Sequence, residues 1–292
     1  MSVDVVVFVV HGQSSCLDDC MFPYVDSFIL NGYRPEILVL DSTGAPAERN
    51  AAKESLSRLC RKYKLDGSYA SAREHERYLR KVDLPALAYA VGSPRVGGLI
   101  NMGLLATAGK SALFINADTR FEVSSPKLVS DGDLPPPIVR KFDLIGKLSG
   151  GAVSRVGTWG ASCTTSNGCF YRSVACNVPP FIPSAGWGQV VPWFLMKNCG
   201  ALPADLPWAV REMSTPDGLE FKYAPLLDMI GSRVGPGGVA DAGATLRAYL
   251  EESKVEFSPD LISYVNLLSS WSECMDYARS LHEQGVKIAY KP

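Results

Sequence analysis

Hydrophobic and polar positions along this chain fall into two periods. Residues 3–10, VDVVVFVV, are apolar on both faces, the pattern of a strand buried from both sides. The HGQSS loop follows, and residues 16–31 then repeat apolar positions at helical spacing until Asn31-Gly32, a C-cap signal. PEILVLD predicts a second strand that ends in a carboxylate, Asp41. Residues 45–64 mix charged and apolar positions at the helical period, which predicts a helix. The polar stretch SYASAREHERYLRKV leads to PALAYAVG, read as a third strand, and SPRVGGLINMGLLATAG is read as loop and helix. SALFINAD is then a fourth strand, delivering Asn116 and Asp118 to its carboxyl end. Strand and helix alternate through residue 118, which implies a parallel sheet.

Beyond Asp118 the pattern changes. Residues 124–142 are irregular and proline-rich, and residues 143–162 read as strands with turns. GWGQVVPWFLMKNCG predicts a short helix ending at Asn198-Cys199-Gly200. The segment 231–243 holds five glycines and is expected to be a mobile lid over a bound ligand. The last long element, residues 258–285, starts at Ser258-Pro259-Asp260 and stops at Gly285.

At 292 residues the chain is long enough for a large core, and a content of 47% hydrophobic and 20% charged residues is that of a folded protein. A net charge of −1 without a long basic run argues against nucleic acid as the main partner. No apolar stretch is long enough for a membrane span, and the N-terminus lacks the basic start of a signal peptide. The eight cysteines form no CxxC pair and are expected to be reduced thiols of a cytoplasmic protein.

Three blocks occur in order: Asn101, Gly103, Leu104, Ala106, Gly109, Leu113, Phe114 and Asp118; then SNGCFYRSV; then GWGQVVPWFLMKNCG. Over roughly residues 3–200 the chain resembles the GT-A glycosyltransferases, especially the large inverting family 2. The resemblance implies a single GT-A-like, Rossmann-like α/β domain with a mostly parallel central sheet flanked by helices. Residues 1–120 would form the half that binds the nucleotide-sugar, and residues 121–292 a mixed acceptor-binding half with a C-terminal helical region. The implied activity is transfer of a sugar from a nucleotide-diphospho-sugar donor to a hydroxyl or amine of a small-molecule or glycan acceptor. Mg2+ or Mn2+ would neutralise the diphosphate leaving group.

On this resemblance Asp118 is the metal ligand and, with Asp217, a catalytic carboxylate. His11, Asp41, Arg95, Asn101 and Asn116 would line the nucleotide-sugar site, and Asn167, Trp187, Gly188 and Gln189 the acceptor pocket. Asp41 also fits a turn residue, Trp187 a core residue, and His11 a structural or exposed histidine. His282 fits a distal metal ligand or a surface position. Two departures from the family pattern stand out. Asn116 occupies the first acidic position of the Asp-x-Asp pair, and Gln189-Val190 replaces the Glu-Asp pair that would supply a general base. Asp205, Glu212 and Asp217 follow as substitutes for that base, retention of configuration would need none, and a lapsed sugar-binding module remains a further alternative.

The competing class is an α/β-hydrolase. VVFVVHG has the look of an oxyanion strand, and AVGSPRVGG faintly echoes a nucleophile elbow around Ser93. Against it, Gly92 adjoins Ser93, Arg95 stands where the second elbow glycine belongs, and the late His282 lies in a predicted helix.

Overall fold

The computed structural model of the protein describes residues 4–11, 17–30, 32–108, 110, 112–117, 119–122, 139–141, 147–149, 152–154, 167–170, 178–184, 191–192, 195, 209–212, 224–235, 238–253 and 258–292. Its centre is β1 (Val5–Val10), whose six residues are all buried. Helix α1 (Leu17–Leu30) ends where Gly32 takes a φ of 83°, as the Asn-Gly signal predicted. Next come β2 (Glu36–Asp41) and α2 (Pro46–Tyr63). Helix α2 starts with Pro46 after an extended Ala45, and closes with Arg61 and Lys62 in its last turn, so both ends obey helix-terminus chemistry.

The third strand is not where the apolar pattern placed it. β3 is Gly67–Ser71, and Ser71 caps α3 (Ala72–Leu79) through a reciprocal pair with Glu74. PALAYAV forms a helix, α4 (Pro85–Val91), with Pro85 in its first turn after an extended Leu84. Three alanines favour helix over strand in this short run, and periodicity alone does not separate the two. Helix α5 (Val96–Ala106) and β4 (Ala112–Asn116) lie as expected.

β1 pairs in parallel with β2, from Val5 opposite Glu36 to Val10 opposite Asp41, and on its other side with β4, from Val5 opposite Ala112 to Val9 opposite Asn116. β2 pairs in parallel with β3. The remaining strands are β5 (Thr119–Glu122), β6 (Val139–Lys141), β7 (Lys147–Ser149), β8 (Ala152–Ser154), β9 (Asn167–Phe170) and β10 (Ala209–Glu212). The main sheet has the order β3-β2-β1-β4-β9-β6, with β9 antiparallel to both of its neighbours. β5 with β10, and β7 with β8, form separate antiparallel pairs. The fold is therefore α/β, with a Rossmann-like parallel core flanked by helices and mixed pairing in the later half.

The C-terminal region is α6 (Ala224–Arg233), α7 (Val239–Glu252), α8 (Pro259–Ser269) and α9 (Trp271–Glu283). The single element expected over 258–285 is thus two helices, divided at Ser270. The expected glycine-rich lid is also corrected. Gly231 lies within α6, and Gly243 is a buried position of α7 whose added Cβ would stand 2.4 Å from the Ser269 amide nitrogen. Glycine serves here to bring α7 and α8 backbones together.

Residues 178–184 thread between α5 and these helices without regular structure. Pro179 and Pro180 have no amide hydrogen to offer, and side chains take up the buried carbonyls of the segment. Trp271 Nε1 donates to Val178 O at 2.8 Å, Tyr264 Oη to Pro180 O at 2.8 Å, and Asn101 Nδ2 to Phe181 O at 2.9 Å. At the outer edge, the C-terminal tail covers β3, with reciprocal backbone bonds between Tyr69 and Tyr290 of 2.8 and 3.0 Å. That pairing shields what would be an open strand edge.

Candidate functional site at the carboxyl edge

In a sheet of order 3-2-1-4, the chain runs outward from β1 through β2 to β3 and then crosses back to place β4 on the other side of β1. The crevice at the carboxyl ends of β1 and β4 is the topological switch point where open α/β sheets bind ligands. Four parallel strands deliver polar residues to this rim: His11 after β1, Asp41 to Thr43 after β2, Ser71 after β3 and Asn116 at the end of β4. The Ala117 amide donates to Val9 O at 2.9 Å, so Asn116 and Ala117 end β4 directly beside β1.

Asp41 is buried, and both of its carboxylate oxygens already accept from the chain. Oδ1 takes the Thr43 amide at 2.7 Å and the Thr43 hydroxyl, an Asx turn, while Oδ2 takes the Tyr69 hydroxyl at 2.5 Å. Burial and the Asp41 partner push the Tyr69 hydroxyl well above the ordinary tyrosine range, so it stays protonated and donates. Arg49 donates to the carbonyls of Thr43, at 3.2 Å, and Gly44, which fixes the β2–α2 turn. Lys53 Nζ sits 5.0 Å from the centre of the Tyr69 ring. Burial opposes the charge on Glu74, but bonds from the Ser71 hydroxyl and amide, with Lys53 nearby, outweigh it and hold the carboxyl below its usual range.

His11 is exposed and shares a 2.8 Å hydrogen bond between its Nδ1 and Ser42 Oγ. Arg95 is exposed at the N-cap of α5. Asn101 is not at the rim. It is fully buried, donating to Ala90 O at 2.8 Å and Phe181 O and accepting from Phe181 N at 2.7 Å. Its amide joins α4, α5 and the 178–184 segment, so the role implied by the resemblance gives way to a structural one. Gly103, two residues on, is equally structural: an added Cβ would stand 2.4 Å from the Phe114 ring of β4. For Asn116 and Asn167 the structure supplies strand positions, the latter opposite Ile115. Asp118, Trp187, Gly188, Gln189, Asp205 and Asp217 lie outside the described residues.

Sequence reasoning missed Tyr69, Thr43, Ser42, Arg49 and Lys53. The Asp-Ser-Thr-Gly turn after β2 was a usable signal for Thr43; Tyr69 carried none once β3 had been assigned elsewhere.

The chemistry of the rim suits hydrogen bonding to a polar ligand. A hard cation is commonly held by one or two carboxylates together with substrate phosphates. Asp118 follows Ala117 in the sequence and is a residue type able to hold such a cation. Among the described residues no group of three or more His, Cys, Asp or Glu side chains is placed to hold a metal by itself. A cavity of about 830 Å³ lies at the opposite, amino edge of the sheet, where Glu36, Gly67, Lys110 and His282 contribute to its wall. His282 is therefore remote from the rim.

The hydrolase elbow is not formed. A nucleophile elbow joins a strand to a helix, whereas residues 92–95 join α4 to α5, and Ser93 Oγ accepts from the Arg95 amide at 3.3 Å.

No family model matches the chain, and no curated protein sequence does. Among solved structures, the chain is similar to the mannosyltransferase PcManGT of Pyrobaculum calidifontis, determined in complex with GDP-mannose and Mn2+. The identity is 10% and the TM-score 0.42, over 97% of this chain and 75% of that one. The fold described above stands on its own strand order and register. No helix among the described residues is long and apolar enough to cross a membrane.

Proposed function

We propose that the protein is a glycosyltransferase that takes a sugar from a nucleotide-diphospho-sugar and passes it to a hydroxyl or amine acceptor. The observation that carries this reading is the register of β1 with β4. Val9 stands opposite Asn116 and bonds the Ala117 amide, so β4 brings the two residues that precede Asp118 in the sequence to the switch-point crevice. A GT-A glycosyltransferase of the family 2 type needs its acidic pair at this position.

In this reading the rim of β1 and β2 receives the nucleoside. His11 and Ser42 present polar atoms to it, and the Asp41–Thr43–Tyr69 cluster holds the turn that carries Ser42. Asp118 holds Mg2+ or Mn2+, with Asn116 beside it as a neutral oxygen donor. The ion, when bound, offsets negative charge building on the diphosphate as the glycosidic bond breaks. Arg95, exposed before α5, supplies a further positive charge to the phosphates. Asn167, Trp187, Gly188 and Gln189 form the acceptor pocket, the indole offering a face to a sugar ring. Gln189 has no basic function, so an inverting reaction assigns the general base to Asp217.

Thermal unfolding with UDP, GDP or dTDP, each with and without Mn2+, tests the reading. A metal-dependent rise in melting temperature with one nucleotide is the expected result. Absence of any shift at saturating concentrations of all three would remove it.

A further inference from the structure

Helix α3 and the turn that ends it carry a cluster of positive charge that the proposed transfer reaction does not use. Arg73, Arg77, Arg80 and Lys81 are all exposed and together line one shallow surface cleft of about 370 Å³. Arg73, Arg77 and the C-cap Arg80 fall on one side of the helix within about a sixth of a turn, and Lys81 follows in the adjoining turn. The opposite side, with His75 and Tyr78, is buried against the protein. The acidic residues of the helix leave the cluster largely uncompensated. Glu74 is turned to Ser71, and Glu76 reaches only Arg80, at 3.9 Å. Among the described residues, no ion pair engages the side chains of Arg73, Arg77 or Lys81.

The position of α3 makes this face accessible. It follows β3, an edge strand of the main sheet, and packs against β3 and α4, with Tyr78 turned toward Cys274 and Tyr277 of α9. The patch is short, about 10 Å from Arg73 to Arg80 at 1.5 Å per residue, and the whole chain has a net charge of −1. A stiff duplex nucleic acid needs a row of positive charge longer than this patch. A fluid bilayer behaves differently, because anionic lipids diffuse laterally and gather under a small basic patch while neutral lipids cover the remainder.

We propose that the exposed face of α3 is a docking surface for an anionic lipid bilayer, with Arg73, Arg77, Arg80 and Lys81 meeting the headgroup phosphates and carboxylates. Binding is peripheral and electrostatic, since the apolar side of α3 is committed to the protein core and nothing inserts. Each cation near such a surface strengthens binding about fivefold, so the four give a reversible association that weakens with salt.

Co-sedimentation of the full chain with phosphatidylcholine vesicles, with and without phosphatidylserine, tests this. The expected result is salt-sensitive binding to the phosphatidylserine vesicles only. Arg77→Ala with Lys81→Ala weakens it about twenty-five-fold, at an unchanged melting temperature. The charge-matched control Arg247→Ala with Lys287→Ala, both at exposed positions elsewhere, leaves binding within about twofold. Equal binding to both vesicle types, or equal weakening by the two double variants, overturns the proposal. So does a short DNA duplex that binds at least as tightly through the same residues, which would make nucleic acid the partner instead. The assay needs no donor nucleotide, so its outcome is independent of the transferase reading.

Discussion

The Tyr69 hydroxyl donates to Asp41 Oδ2 across 2.5 Å, joining the ends of β2 and β3 in a buried pair. The tail holds the same tyrosine from behind through the Tyr290 backbone, so one residue ties the C-terminus to the carboxyl rim. Replacing Tyr69 with Phe keeps the ring and strips the donor. A buried carboxyl oxygen then loses a partner, and stability should fall by about 1–3 kcal/mol in urea unfolding. The pH dependence has a definite sign. Because the folded hydroxyl titrates above its unfolded value, its contribution is intact below about pH 10 and drains away as pH rises further. The gap between parent and Tyr69→Phe should therefore narrow in alkali. A constant gap would mean that the hydroxyl titrates as it does in the unfolded chain.

His75 gives the opposite dependence. It is buried, and its Nε2 bonds the Val91 carbonyl, linking α3 to the end of α4. Burial pushes its pKa below the ordinary value, although the carbonyl partner opposes the shift. The unfolded chain therefore takes up a proton that the folded protein refuses as pH falls below about 6.5, and stability drops there. His75→Gln retains a neutral donor and does not titrate. Urea midpoints measured on either side of that pH should fall for the parent more than for the variant. Parallel changes would show that His75 is not the group responsible.

The parallel core was legible because its strands are extreme in composition: six consecutive buried apolar residues leave β1 no other place than the middle of a sheet. β3 was not legible, since Gly-Ser-Tyr-Ala-Ser looks polar until its pairing with β2 and with Tyr290 buries it. The same error hid Tyr69, whose hydroxyl has meaning only beside Asp41. Asn101 and Gly103 illustrate a different limit. A motif read along the chain gave Asn101 a binding role, but the asparagine serves three backbone groups in the interior and the glycine admits the Phe114 ring. These contacts cross from one element to another, one of them spanning 80 residues, and no local pattern announces them. Asp41 lies between these cases: its place at a strand end was readable, while the occupancy of both its oxygens was not.

Two glycines of the segment once expected to be a lid should respond to alanine in opposite ways. At Gly243 the new methyl would meet the Ser269 nitrogen at 2.4 Å and the Leu268 carbonyl carbon at 2.8 Å, both backbone atoms that yield only if α7 moves off α8. Gly243→Ala should cost about 1–3 kcal/mol. At Gly231 an added Cβ meets nothing within 4 Å, and the residue lies inside α6. Gly231→Ala should stabilise by about 0.5–1 kcal/mol through helix propensity and a smaller unfolded-state entropy. Chemical unfolding of the two variants decides the matter, and a neutral Gly243→Ala would show that the helices are not in close contact there.

The transferase reading concentrates on Asp118, the residue that follows Ala117 in the sequence. Asn is close to Asp in size and in its preference for turns, so Asp118→Asn removes charge with little else. If the aspartate were only a turn cap, Asn would replace it almost without loss, because the two cap about equally well. If it holds a hard divalent cation against a diphosphate, the lost charge should weaken Mn2+-dependent nucleotide binding tenfold or more, the equivalent of about 1.4 kcal/mol. The melting temperature without ligand should barely change in either case, so the test separates binding from folding. Asn116→Asp is the complementary variant. It sits at the carboxyl end of β4 opposite Val9 and restores a second carboxylate beside the first, so metal affinity should rise or hold. Titration of Mn2+ and nucleotide into the parent and the two variants gives the answer. Parent-like binding by Asp118→Asn would leave the resemblance describing a fold, with the ligand site still to be found among the other residues of the rim.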